Sequence, residues 1–152
     1  MREKYGVSQK IFIAISWLLT AALMVTIFYL SSQVSSKSSG LSSGVIARIT
    51  ELFHITLSQH TVRKTAHALE YTALCFLFSF SWLSVFSFPR YALSFLSAAL
   101  YASSDELHQY FVSGRACQPR DVFIDCLGAA FGLLLFFILY TAYSHIHKNK
   151  AR

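Results

Sequence analysis

Charge is scarce in this sequence, at 13% of its 152 residues, and it is missing altogether from four long stretches. Ile11 to Leu30, Tyr71 to Phe88, Tyr91 to Ser104 and Cys126 to Ser144 contain no Asp, Glu, Lys or Arg. With 55% hydrophobic residues besides, the chain lacks the polar surface that a soluble domain of this size requires. Proline is also rare. Its two residues, Pro89 and Pro119, fall between apolar stretches rather than inside them, so nothing in those stretches interrupts a helix. The three cysteines, Cys75, Cys117 and Cys126, show no CxxC or other metal-ligand spacing, which excludes a disulfide framework and a zinc site. The net charge of +6 does not imply nucleic-acid binding, because the basic residues flank apolar runs instead of forming one stripe.

What is present follows from those uncharged runs. Ile11 to Leu30 has about the 20 residues needed to cross a hydrocarbon core as a helix. Backbone groups find no water in lipid, and continuous rather than alternating apolar character selects helices over a barrel. The fold expected is therefore all-α: a single 152-residue domain built as an integral membrane four-helix bundle, with spans near 11–31, 62–87, 90–110 and 121–143. Arg2, Lys4 and Lys10 precede the first run, as in a signal peptide. Its apolar core is too long for one and lacks a small-x-small cleavage site, so it reads as a retained anchor.

Between the first two spans, Ser31 to Ser43 reads as a polar, irregular link. Leu41, Val45, Ile49, Leu52, Phe53 and Leu57 then recur at helical spacing. They predict a short amphipathic helix near 41–58, either lying on the membrane surface or packed across the mouth of the bundle. Arg2, Lys4, Lys10, Arg90, Lys148, Lys150 and Arg152 gather on one side, against Lys37, Arg48, Arg63, Lys64, Arg115 and Arg120 on the other. Several cations of the second group have acidic neighbours that can hold them for a task. Both termini are accordingly expected in the cytoplasm of a multi-pass plasma-membrane protein.

The ionisable residues between the ends cluster at one edge of the runs. Arg63, His67, Glu70 and Leu74 share a helix face, with Lys64 and Tyr71 adjacent. Asp105 and Gln109 share another face, Tyr101 one turn deeper, with Glu106 and His108 flanking it on opposite sides. On the last span Asp121, Asp125, Gly128 and Gly132 form one stripe, whose Gly-x-x-x-Gly portion lets a second helix approach closely. Alternating direction brings all three clusters to one side, as a polar pocket facing the cell exterior. A carboxylate inside a bilayer costs about 2.5–3.5 kcal/mol on insertion scales, so such a gathering needs partners and implies a task. The plain alternative is a set of ion pairs that only fixes helix register. No ionisable group falls in the inner half of any span, which favours a site open to one surface over an ion pathway.

Of the candidates for acid–base work, His67 leads because Glu70, one turn on, can orient its ring; Asp105 and Glu106 complete the candidate catalytic set. Arg63, Lys64, Arg115 and Arg120 suit an anionic group, with Gln109, Asp121 and Asp125 as further binding residues. His67, Glu70, Asp105, Glu106, Asp121 and Asp125 also offer hard ligands for a divalent metal, the minor alternative, since neighbouring cations compete for the same carboxylates. The sequence leaves the cofactor unknown, a divalent metal being the minor possibility. His54, His60, His145 and His147 read as surface or headgroup-facing residues.

Four segments, in this order, resemble the VanZ-like family of small bacterial membrane proteins. They are Phe28-Tyr-Leu-Ser-Ser-Gln33, Arg63-Lys-Thr-Ala-His-Ala-Leu-Glu-Tyr71, Ser104-Asp-Glu-Leu-His-Gln109, and Gly114-Arg115 followed by Arg120-Asp-Val-Phe-Ile-Asp125 and Leu127-Gly128. The family often has asparagine where Asp125 stands, which weakens any role demanding a charge there. The resemblance implies a bacterial cell-envelope role, and the family's namesake is associated with lowered susceptibility to teicoplanin. It does not imply a reaction. The expected function is binding or modification of a lipid-linked or cell-wall-related anionic substrate, with a membrane lipid, a lipid-linked precursor or a glycopeptide antibiotic as partner. If the protein is an enzyme, it is a hydrolase or transferase of such a substrate. The alternative is a non-catalytic binding or scaffold protein.

Overall fold

The computed structural model describes residues 6–33, 35–54, 58–113 and 118–150. They form five helices in chain order: α1 (Val7–Ser31), α2 (Ser35–Phe53), α3 (Gln59–Phe86), α4 (Tyr91–Gln109) and α5 (Pro119–Lys150). No strand occurs among the described residues. Helices α1, α3 and α5 are long and apolar enough to cross a membrane. Helix α4, with 19 residues and two carboxylates near its end, is not among them.

The helices reach past the uncharged runs at most ends, because polar residues at helix termini still find water or headgroups. Helix α3 starts at Ser58, whose hydroxyl accepts the Thr61 N–H at 3.0 Å and so satisfies one of the unpaired first-turn donors. It stops one residue earlier than expected, at Phe86. Ser87 enters the left-handed region there with φ of 61° and turns the chain into α4.

Helix α2 corrects the expected bounds at both ends. The serine-rich segment is helical from Ser35, and the helix ends at Phe53 rather than near 58. Serine in a helix costs only about 0.5 kcal/mol, so a helix nucleated by the Leu41–Phe53 portion propagates back through it cheaply. The stop is a left-handed residue, His54 with φ of 54°, whose N–H reaches Thr50 O at 2.9 Å.

Helices α3 and α5 make the most extensive contact of the molecule, and α4 packs against both as well as α1. Gly128 and Gly132 explain the first contact. A Cβ at either position would overlap the backbone of Ala68 or Thr72 on α3, so only glycine permits this approach. Thr72 Oγ1 lies between Ala68 O on its own helix, at 2.7 Å, and Gly128 O across the seam, at 2.9 Å, and can share its proton between them. Small residues do similar work on α4, where Ser94, Ala98 and Ala102 lie buried along one face. The core between the helices comprises Ile27, Tyr71, Leu74, Cys75, Phe78, Ala98, Ala102 and Ala129.

Helix α1 is tied to α3 by hydroxyls as well as by packing. Ser16 meets Ser84 at 3.2 Å and Thr20 meets Ser81 at 2.9 Å, both pairs buried. Gln9 adds a bond to the Ser84 carbonyl, and Trp17 packs edge-on against Trp82. These contacts order the helix ends. Gln9 lies beside Ser84 and Ser87, whereas Ser31, at the other end of α1, lies beside Asp105. Helix α4 thus runs back along α3 from the Arg90 turn toward the end where the ionisable clusters meet.

Candidate functional site

Three helix ends converge there. The first half of α3 brings Arg63, Lys64, His67 and Glu70; the last two turns of α4 bring Asp105, Glu106 and Gln109; the first two turns of α5 bring Asp121 and Asp125. Close approach at Gly128 holds α5 against α3 one turn below Asp125, which seats the acids of α5 beside the bases of α3. Asp105, Glu106, Gln109 and Asp125 are only 2–5% exposed, so water does not solvate them and the protein must.

Much of that solvation is visible. Lys64 Nζ pairs with Asp121 Oδ2. Ser31 donates to Asp105 Oδ2 at 2.7 Å, and Gln109 Nε2 donates to the same oxygen at 3.1 Å. Glu106 Oε1 accepts the Gln118 backbone N–H at 2.7 Å, tying α4 to the entry of α5. His67 Nδ1 lies 3.8 Å from Glu70 Oε2 and 4.0 Å from Asp125 Oδ1. Both separations exceed hydrogen-bond length but allow attraction when the imidazole is charged.

Three buried polar atoms have no hydrogen-bond partner among the described residues: Tyr71 OH, Asp105 Oδ1 and Asp121 Oδ1. Asp121 also lines a cavity of about 20 Å³, together with Arg63, Lys64, His67, Glu106, Gln109 and Asp125. Such a volume holds about one water-sized group. Arg63 is half-buried at its wall and makes no ion pair or hydrogen bond with any described residue. The carboxylates do not converge on one point. Among the described residues no group of three or more His, Cys, Asp or Glu side chains is placed to hold a metal ion.

Of the residues singled out from the sequence, seven line this cavity, whereas Glu70 and Asp105 do not. Arg120 is exposed at the first turn of α5 and does not line it. Arg115 lies outside the described residues, as does Cys117. His108, grouped by sequence with Asp105, turns away: its ring stacks on Phe28 at 4.4 Å and meets the Ser32 hydroxyl at 3.1 Å. Ser104 likewise faces outward and bonds to Tyr101 O.

Two contributors escaped the sequence reading. Ser31 falls within the Phe28–Gln33 segment without an ionisable group to mark it, and the Gln118 N–H is a backbone group that no motif reveals. A signal for Ser31 did exist. Ser16, Thr20, Ile27 and Ser31 recur at helical spacing and are the buried residues of α1.

Membrane-length apolar helices, with ionisable groups buried at one end of them, define the class: a helical membrane protein. The chain belongs to the VanZ/LLP1 family, whose model matches residues 16–140 and so includes every described residue of the site. No curated protein and no solved structure matches it.

Proposed function

We propose that this protein is a four-helix membrane protein of the bacterial cell envelope whose site takes up an anionic group on a lipid-linked or cell-wall-related substrate. The observation that carries this reading is Arg63, whose guanidinium borders the cavity without a partner among the described residues. An arginine with uncommitted donors offers paired N–H groups to phosphate or carboxylate oxygens, and Lys64 and His67 stand beside it. The cavity admits one oxygen-bearing corner of such a group, which leaves the bulk of the substrate in lipid or outside.

Helix α4 supplies the fourth crossing in this reading. Its 19 residues rise about 28 Å, close to a hydrocarbon core. Leu96 and Leu100 on its outer face are 54% and 71% exposed, as lipid-facing side chains are. Four crossings put both termini on one side, and their basic flanks place that side in the cytoplasm. The site then opens at the outer leaflet. Helix α2 lies along that surface, since its apolar Val45 and Leu52 are 48% and 71% exposed rather than packed into the protein.

In an enzyme of this design His67 passes the proton, steadied by Glu70, while Glu106 lines the reacting space and Asp105 positions Gln109. A scaffold is the second reading. It is favoured by the pairing already present in Lys64–Asp121, Ser31–Asp105 and Gln118–Glu106, which fixes three helix ends without any ligand. The test uses the full-length protein in nanodiscs with a polyprenyl phosphate as probe. Arg63→Gln should weaken retention by about 10-fold or more, the loss of one charge-assisted bond. His67→Ala should retain the probe but abolish conversion if the site is catalytic, and lose both together if it only binds. Cells expressing the wild type should shift in susceptibility to teicoplanin-type glycopeptides. Folded Arg63→Gln and His67→Ala proteins that behave like wild type in every assay would leave the scaffold standing.

A further inference from the structure

The opposite end of the helices carries a second arrangement with a chemistry of its own. Ser87 turns the chain sharply after α3, and the turn sets Arg90 beside two rings: its guanidinium carbon lies 4.5 Å from the Phe86 centroid and 4.2 Å from that of Phe88. Cation–π contact holds the side chain in place yet leaves its N–H donors unspent. No carboxylate or hydrogen-bond acceptor among the described residues engages them.

Among the described residues, charge at this end is of one sign. Lys10, Arg90, Lys148 and Lys150 are the described charged residues there, whereas the described carboxylates, from Glu51 to Asp125, belong to the site end and α2. A groove of about 750 Å³ opens directly beneath Arg90, bounded by Phe86, Pro89, Leu93 and Leu96. It leads from a cation at the level of the headgroups onto an apolar helix face. The first turn of α4 has neither a side-chain cap nor an acidic residue, so its free N–H groups add to the positive potential at the same place.

We infer that the Arg90 turn and this groove form a binding site for an anionic phospholipid, its phosphate on the guanidinium and one acyl chain along Leu93 and Leu96. A lipid is the occupant that matches both parts. The cation lies at the mouth of an apolar groove on a membrane-length helix pair, where a soluble anion would leave the groove empty. The site is independent of the cavity between α3, α4 and α5.

Native mass spectrometry of the delipidated full-length protein, titrated with dioleoylphosphatidylglycerol or dioleoylphosphatidylcholine, reads the preference directly. Wild type should retain phosphatidylglycerol about fivefold better, the effect of one basic residue on an anionic headgroup. Arg90→Gln should remove the preference and Arg90→Lys should keep most of it. Ala92→Trp, which fills the groove, should lower retention of both lipids. Arg48→Gln on α2, at the other end and outside the proposed site, should leave the preference unchanged, which shows that losing any one exposed cation is not enough. Equal retention of the two lipids by wild type, or an undiminished preference in a folded Arg90→Gln protein, overturns the proposal. So does displacement of phosphatidylglycerol by inorganic phosphate, which would show a simple anion site.

Discussion

Replacing Gly128 by alanine adds a single methyl group at the closest approach in the molecule. On an isolated helix the change would favour folding by about 1 kcal/mol, since glycine is the poorer helix former. Here the new carbon would fall on the carbonyl of Ala68, and α5 must retreat by about 1 Å or more to restore an ordinary contact. Overpacking of this kind costs about 1–3 kcal/mol. The retreat also lengthens the 2.9 Å bond from Thr72 to Gly128 O, worth about 0.6–1.7 kcal/mol between membrane helices. After the propensity gain the net destabilisation is about 1–3 kcal/mol, roughly a 5- to 150-fold change in the folding equilibrium. Reversible unfolding in mixed SDS micelles, followed by fluorescence of Trp17 and Trp82, measures it. The internal control is Gly44→Ala on α2, where nothing lies within 4 Å and the same substitution should be neutral or stabilising. A Gly128→Ala protein as stable as wild type, or equal losses at both glycines, would refute the close-packing argument. Because Gly128 lies one turn below Asp125, the same retreat should loosen the Lys64–Asp121 pair and weaken any binding at the cavity.

Ser31→Ala removes the 2.7 Å donor to Asp105, a carboxylate whose other oxygen already lacks a partner among the described residues. The expected loss is about 1–3 kcal/mol in the same unfolding assay, against almost nothing for the exposed Ser103→Ala. Ser87→Gly relieves a left-handed serine and should stabilise the α3–α4 turn by up to about 1 kcal/mol, whereas Ser87→Val should destabilise it; the unfolding midpoint reports both. For orientation, a cysteine at exposed Ser113 should react with a membrane-impermeant thiol reagent in intact cells, and one at exposed Ser87 only after permeabilisation. The reverse pattern would invert the assigned topology.

The helical class needed nothing beyond the sequence. An uncharged apolar run has few ways to satisfy its backbone in lipid, so Ile11–Leu30 and Cys126–Ser144 announce helices by themselves. The pairing surface of α5 was equally open to view, since Gly128 and Gly132 at a four-residue spacing invite a neighbour. So was the grouping of Arg63, His67 and Glu70, because residues at i, i+4 and i+7 share a helix face wherever the helix sits. Serine hid α2, because its helix propensity is nearly neutral and the surrounding pattern decides its state.

Only the packed structure decided which partners meet. Ser31 and Asp105 are 74 positions apart, and Thr20 and Ser81 are 61 apart; no local periodicity relates such pairs. The same packing sent His108 to Phe28 rather than to the acids, and withdrew Asp105 and Arg120 from the cavity wall while leaving Arg63 on it. A helix's sequence states which residues share a face. The rotation of that face toward a given neighbour depends on how small residues such as Gly128, Ala98 and Ala102 let whole helices nest, and that is a property of the assembled bundle.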